Sequence, residues 1–168
     1  NRFADPDDQV TDTLPLPYEA RLRSRRHLRL ATGEAFGYNL PPGTVLRHGD
    51  KLLAEDGHTT RVVEIIAAVE SLVEVRVSDA LQLARAAYHL GNRHVTVGIG
   101  QDEQGHYLLL QPDHVLEDML VRLGCVLRSK KGPFQPEGGA YGGHGHSHGH
   151  GGERREHSHA PKIHEFPE

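Results

Sequence analysis

One cysteine in 168 residues, Cys125, cannot close an internal disulfide, so no disulfide framework is available and a reducing compartment fits the composition. Long apolar runs are missing too. None approaches the roughly 18 to 20 residues that a bilayer-spanning helix needs, and the N-terminus lacks the charged-then-apolar order of a secretory signal. A soluble, cytoplasmic protein with no membrane attachment is the expectation. Nor is there a sustained basic stripe: a formal charge of −4 on a mixed Arg/Glu surface argues against nucleic acid as a partner. Catalytic sets are absent on the same reading. The stretch GIGQDEQG, from Gly98 to Gly105, has neither the Walker lysine nor a following helix, and Asp102 and Glu103 within it read as solvated hairpin residues. Cys125 follows a helix-ending Gly124 and opens an apolar strand, the place of a small buried hydrophobe rather than a nucleophile. The expected class is a binder, not an enzyme.

What is present falls into three rhythms. An apolar share of 36% in 168 residues allows one ordinary core or two small ones. The first sixteen or so residues are acidic, hold two prolines and show no apolar period, so they are expected to be loose or to pair as an edge strand. From Tyr18 short alternating stretches follow (RLRSRRHLRL, EAFGYNL, TVLRHGD, KLLAEDGH and RVVEIIAAVE), punctuated by Thr32-Gly33, Pro41-Pro42-Gly43 and Asp56-Gly57. This is the pattern of a small antiparallel β domain, closing near Glu70. Then the period changes. SLVEVRV reads as a strand, Ser78 as the N-cap of a helix over DALQLARAAYHL, and Gly91 as its end. HVTVGI and HYLLLQ read as two strands around a QDEQG turn. Asp113 caps a second helix whose Val115, Leu116, Met119, Leu120 and Leu123 form a stripe, and CVLRSK makes a last strand. The order β-α-β-β-α-β is the ferredoxin-like plan. After Lys131 a Gly-, His- and Pro-rich segment carries too little aliphatic surface to offset its ordering entropy, and flexibility is expected there. The expected class is therefore α+β, with domains at 1–70, 71–142 and a tail at 143–168.

Seven of the fourteen histidines stand in the last twenty-five residues. Imidazole suits Ni²⁺, Cu²⁺ and Zn²⁺, and in HGHSHGH single small residues separate His144, His146, His148 and His150, so several rings can turn to one ion. His157 and His159 repeat the spacing, and His164 follows. Interleaving with Gly and Ser, and continuation into APKIHEFPE, distinguish the stretch from an added purification tag. Two more candidates stand in the folded part: His94 in GNRH, just past the first helix, and His114 in PDHVLEDML, on the first turn of the second. Taken alone, each reads as a surface histidine, because one imidazole cannot fill a coordination shell. A two-fold axis would make such a residue count twice, and two His94 side chains could hold one ion between subunits. His89 and His106 read as packing or strand residues, and His27, His48 and His58 have no ligand spacing.

AAYHLGNRHVTVGI, YLLLQPDHVLEDML and GPFQPEGGAYGG ahead of a His-rich end together resemble the urease accessory nickel metallochaperone family, UreE, and SRRHLRLATGEAFGYNLPPGTVLRHGD resembles its N-terminal domain. The resemblance spans essentially the whole chain, with GNRH and PFQPEGGAYG its most specific parts. It implies a β-rich N-terminal domain that meets other proteins, a ferredoxin-like metal-binding domain, and a homodimer joined through the latter; a dimer of dimers around a shared metal is a further expectation. It also implies delivery of Ni²⁺ to the urease apoprotein, with the accessory GTPase UreG as nearest partner. The family's interfacial histidine falls on His94, and a further one on His114. Some members carry a His-x-His pair at the latter place, whereas here Pro112 takes the first position and offers no ligand. The reading from a different class is a storage protein that buffers Ni²⁺, Zn²⁺ or Cu²⁺ and delivers to no partner. A β-domain adaptor whose metal site is secondary is a third. Neutral imidazole is the ligand and protons compete for it, so Ni²⁺ affinity is expected to fall as pH drops below about 6.5. Equal affinities at pH 7.5 and pH 5.5 in a calorimetric titration would contradict a histidine site.

Overall fold

A computed structural model describes residues 2–55 and 60–138. His58 and all seven tail histidines lie outside the described residues. The N-terminal half comprises β1 (Arg2–Phe3), β2 (Asp12–Leu16), a helical turn α1 (Tyr18–Arg21), β3 (Arg25–Arg29), β4 (Ala35–Asn39), β5 (Lys51–Glu55) and β6 (Thr60–Ala67). β3 and β4 form a hairpin, and the main sheet runs β1-β5-β6-β2. The first sixteen residues thus supply both of its edges. Pairing is antiparallel except at one place, where β2 lies parallel to β6 with Asp12 opposite Val63 and Leu16 opposite Ala67. A parallel pair needs a long crossover, and α1, the hairpin and β5 together provide it. Leu14, Leu16, Phe36, Tyr38, Leu46, Leu52, Val63 and Ile65 close over one another as the core of this half, each large side chain stabilising by about 1.5–3 kcal/mol.

One expected strand is replaced here and another is shortened at its start, where RLRSRRHLRL is a strand only over Arg25–Arg29. Tyr18–Arg21 is helical: Pro17, at φ −65° and ψ 160°, starts the turn, and burial of Ala20 and Arg21 holds it. TVLRHGD is a loop, bent by positive-φ turns at Gly43 and Gly49 (φ 83° and 86°). Its Leu46 is wholly buried and donates its backbone N–H to the carbonyl of Arg21 at 3.0 Å.

The second half follows after Ala68 alone: β7 (Val69–Arg76), α2 (Ala80–Gly91), β8 (Gly98–Asp102), β9 (Gly105–Leu110), α3 (His114–Arg122) and β10 (Val126–Pro133). Strand order β10-β7-β9-β8 with every neighbour antiparallel is the ferredoxin-like sheet. Alternation sends Val73, Val75, Leu108 and Leu110 to one face, where Ala86 and Leu90 of α2 and Leu120 of α3 cover them. The cap of α2 is Asp79, one residue beyond the expected Ser78. Its carboxylate accepts from the Gln82 N–H at 2.8 Å while the Gln82 amide oxygen accepts from the Ser78 N–H at 2.6 Å, a reciprocal pair, and the Ser78 hydroxyl turns to the Asp79 carboxylate at 3.0 Å. Asp113 caps α3 as expected, accepting from Val115 and Leu116.

β8 starts at Gly98 rather than His94, and β10 runs on to Pro133. Flexibility after Lys131 is not what the described residues adopt: Phe134 is fully buried and the Glu137 N–H donates to the carbonyl of Val97 at 2.9 Å. One aromatic ring anchors a stretch whose average composition argued for disorder.

The sheet face away from the helices carries charge. Glu74, only 5% exposed, accepts from Arg76 and from Lys130, each at 2.6 Å. Arg76 also grips Asp102 with two bonds of 2.6 and 2.5 Å, so Asp102 is the exposed hairpin residue expected and is ion-paired as well. Tyr107 lies beneath the cations, with Arg76 4.7 Å and Lys130 5.0 Å from its ring centre. Gly100 makes room for that ring, since a Cβ there would stand 2.3 Å from a ring carbon. Hydrogen bonding from Arg76 holds the Asp102 carboxyl down at about 2. Burial pushes Glu74 upward, but hydrogen bonds from Lys130 and Arg76 outweigh it and the net shift is downward. Both folded-state values lie below the unfolded ones of roughly 4, so this stabilisation is complete above pH 4 and is lost as pH falls toward 2. Thermal melts between pH 4 and pH 2 should show a shallower decline in Tm for Asp102→Asn than for the wild type; parallel declines would count against the cluster.

Candidate metal centre

α2 is amphipathic with both faces informative. Ala86 and Leu90 are buried against the sheet, while Leu81, Ala84 and Tyr88 recur along the outer face, with Leu81 61% and Tyr88 67% exposed. Spacings of three and four residues make these three one stripe. Its far end is where the histidine sits. His94 has φ 54° and is the sole non-glycine residue with positive φ among those described. Its N–H donates to the carbonyl of Gly91 at 2.9 Å, and the Val95 N–H reaches back to the carbonyl of Leu90 at 3.1 Å. These two bonds, with Val95 packed in the core beside Leu90, make a Schellman turn whose left-handed position belongs by preference to glycine. Arg93 adds a bond from its guanidinium to the carbonyl of His89 at 2.9 Å, satisfying another helix-end acceptor. The imidazole of His94 is therefore carried on a fixed backbone and stands exposed.

His114 opens α3 directly after its cap and is exposed, as is Pro112. Among the described residues no three of His, Cys, Asp and Glu come together as a metal cluster, so His94 and His114 are not joined there into a finished site. The other histidines in the folded part have structural settings. His89 meets Tyr88 edge-on at 5.5 Å, and His48 accepts the Ala67 N–H through Nδ1 at 3.3 Å. Cys125 is buried, which pushes its thiol pKa up and leaves it a packing residue. Sequence reasoning placed the helix end at Gly91 and missed the turn at His94. A signal was there in Val95, the apolar residue that a Schellman turn folds back on the helix.

Two family profiles match end to end: one described as UreE urease accessory protein, N-terminal domain, over residues 1–68, and one described as its C-terminal domain, over residues 70–162. The chain belongs to the UreE urease accessory protein family. The boundary between the UreE profiles falls at the Ala68 junction between β6 and β7. A urease accessory protein UreE of Dechloromonas aromatica (strain RCB) is 50% identical over 163 residues, covering 94% of this chain and 92% of that protein. Those of Burkholderia lata and Burkholderia thailandensis are 53% and 54% identical over 131 residues, 78% of this chain but 60% and 58% of those longer proteins. UreE proteins are thereby accessory to urease, and no helix among the described residues is long and apolar enough to cross a membrane.

Because His94 occupies a glycine position, backbone preference and histidine chemistry can be separated. His94→Gly should melt at or above the wild-type temperature, whereas the β-branched His94→Val should lose about 1–2 kcal/mol. A Val variant as stable as wild type in chemical denaturation would show that the turn imposes no strain.

Proposed function

We propose that this protein is a cytoplasmic nickel carrier for urease assembly, which holds Ni²⁺ between two copies through His94 and passes it toward the urease apoprotein with the accessory GTPase UreG as partner. The observation that carries the reading is the exposed imidazole on a rigid left-handed turn, at the end of an uncovered apolar stripe. A second copy seated on Leu81, Ala84 and Tyr88 across a two-fold axis would bury that stripe and present two imidazoles to one ion. Open, imidazole-only coordination is also what hand-over requires, because an acceptor can offer competing ligands.

His114 is the second exposed imidazole of the folded part, and the tail histidines His144, His146, His148, His150, His157, His159 and His164 add capacity for further ions. On this reading the working units are residues 1–70 for protein contact, 71–142 for metal and dimerisation, and 143–168 for capacity, with pairs of dimers able to share an ion. Zn²⁺ and Cu²⁺ bind the same ligands, Cu²⁺ at least as tightly by the Irving–Williams order, so delivery rather than affinity defines the metal.

A nickel titration of the intact chain, a chain truncated after Gly143, and His94→Ala tests this directly. Truncation is expected to remove several ions per dimer and keep one tight one, and His94→Ala to lose that tight one. A truncated chain that binds nothing sinks the His94 site. Failure of the intact protein to activate apo-urease or to bind the GTPase would leave storage as the function.

A further inference from the structure

Among the described residues Arg21 is the largest buried side chain, at 2% exposure, and no carboxylate there stands within bonding distance of it. Its guanidinium donates to two carbonyls instead, that of Leu46 at 3.4 Å and that of Phe134, while its Nε has no partner. The Tyr18 ring lies 5.4 Å from the guanidinium and meets the Phe134 ring edge-on at 5.3 Å. Burial draws the Arg21 pKa down, offset in part by the charge of Glu70, by Tyr18 and by Asp50. A charge held this way is a poor means of stabilising a junction, since a methionine of similar length would fill the space without desolvation. What only the guanidinium supplies is direction: two donors aimed at carbonyls from different parts of the chain.

One of those carbonyls belongs to the strap that follows β10. Phe134 is wholly buried, the Gln135 amide oxygen accepts the His48 N–H at 3.3 Å, and Glu137 donates to the Val97 carbonyl at 2.9 Å. Val97 is three residues beyond His94. The segment between them is thus held at one end by the Schellman bonds and at the other by the strap, and the strap by the N-terminal half.

We propose that Arg21 is a positioning residue for His94: by clamping the Phe134 carbonyl it fixes residues 134–137 against Val97, and so lets the N-terminal half set the geometry of the metal-binding turn. This rests on His94 being the nickel ligand, and makes anything that pries α1 from the strap a means of loosening the ion.

Amide hydrogen exchange on the metal-free full-length protein tests the clamp without reference to metal. Arg21→Met is expected to speed exchange at Glu137 by about tenfold and leave the Cys125 amide, bonded to Leu120 in the other helix end, unchanged. Arg21→Lys, retaining the charge but only a single donor nitrogen, should fall between wild type and Met. If Met does not fold, Phe134→Leu must loosen the same amide. Equal acceleration at Glu137 and Cys125, or none at either, overturns the proposal. The second arm is nickel affinity: Arg21→Met should weaken the His94-dependent ion by about fivefold and have no effect in a His94→Ala background. Unchanged affinity in Arg21→Met, where His94→Ala abolishes it, also overturns the proposal. If His94→Ala itself changes nothing, the metal reading has failed, and the exchange arm alone still decides whether Arg21 clamps the strap.

Discussion

Both sheets hang on a single extended run. β6 is an interior strand of the first sheet and β7 an interior strand of the second, and one residue, Ala68, lies between them. Interior strands bond on both edges, so neither can be shifted without unpairing two neighbours. β5 and β2 pair with β6, and β10 and β9 with β7, directly on this spine. The arrangement leaves the halves no slack of their own, and contacts across the junction, such as the Tyr18 N–H bonding Glu70 at 2.7 Å and Arg21 reaching Phe134, become parts of one framework.

Much of this was legible. The ferredoxin-like half shows its period openly: Ala86 and Leu90, then Leu116 and Leu120, recur at helical spacing between β-branched runs, and Asp113 announces its helix. The N-terminal half was read less well because local patterns there are overruled by distant ones. TVLRHGD alternates like a strand, yet its Leu46 is claimed by the core under α1. Arg21 opens the alternating stretch RLRSRRHLRL, and nothing nearby in sequence tells that it ends a helical turn and that its guanidinium will be buried beside Phe134, more than a hundred residues on. Asp102 is the exposed hairpin residue it reads as, but its ion pair with Arg76, two strands away, leaves no trace in the local pattern. Single-residue anchors in long-range pairs are what periodicity cannot register.

The candidate site divides in the same way. GNRH directed attention to His94 through resemblance, but composition could not say why a histidine there differs from one on any surface. The backbone says it: this side chain sits where glycine relieves strain, so its retention sets a side-chain requirement against a backbone preference. His114 carries no such mark, lying at an ordinary helix start.

The margins of the two sheets bear on how copies of the chain can meet. β10 has Arg128, Lys130 and Lys131 along its outer length, and the far side of the same sheet is met at Val97 by Glu137. In the other sheet β1 is two residues long and β2 contains Pro15, which has no N–H to offer. Charge, cover, brevity and proline are four different ways of refusing an added strand. A protein crowded with copies of itself is thereby discouraged from zipping into fibres edge to edge, and the helical side, where Leu81 and Tyr88 lie open, is left as the surface on which association can be orderly.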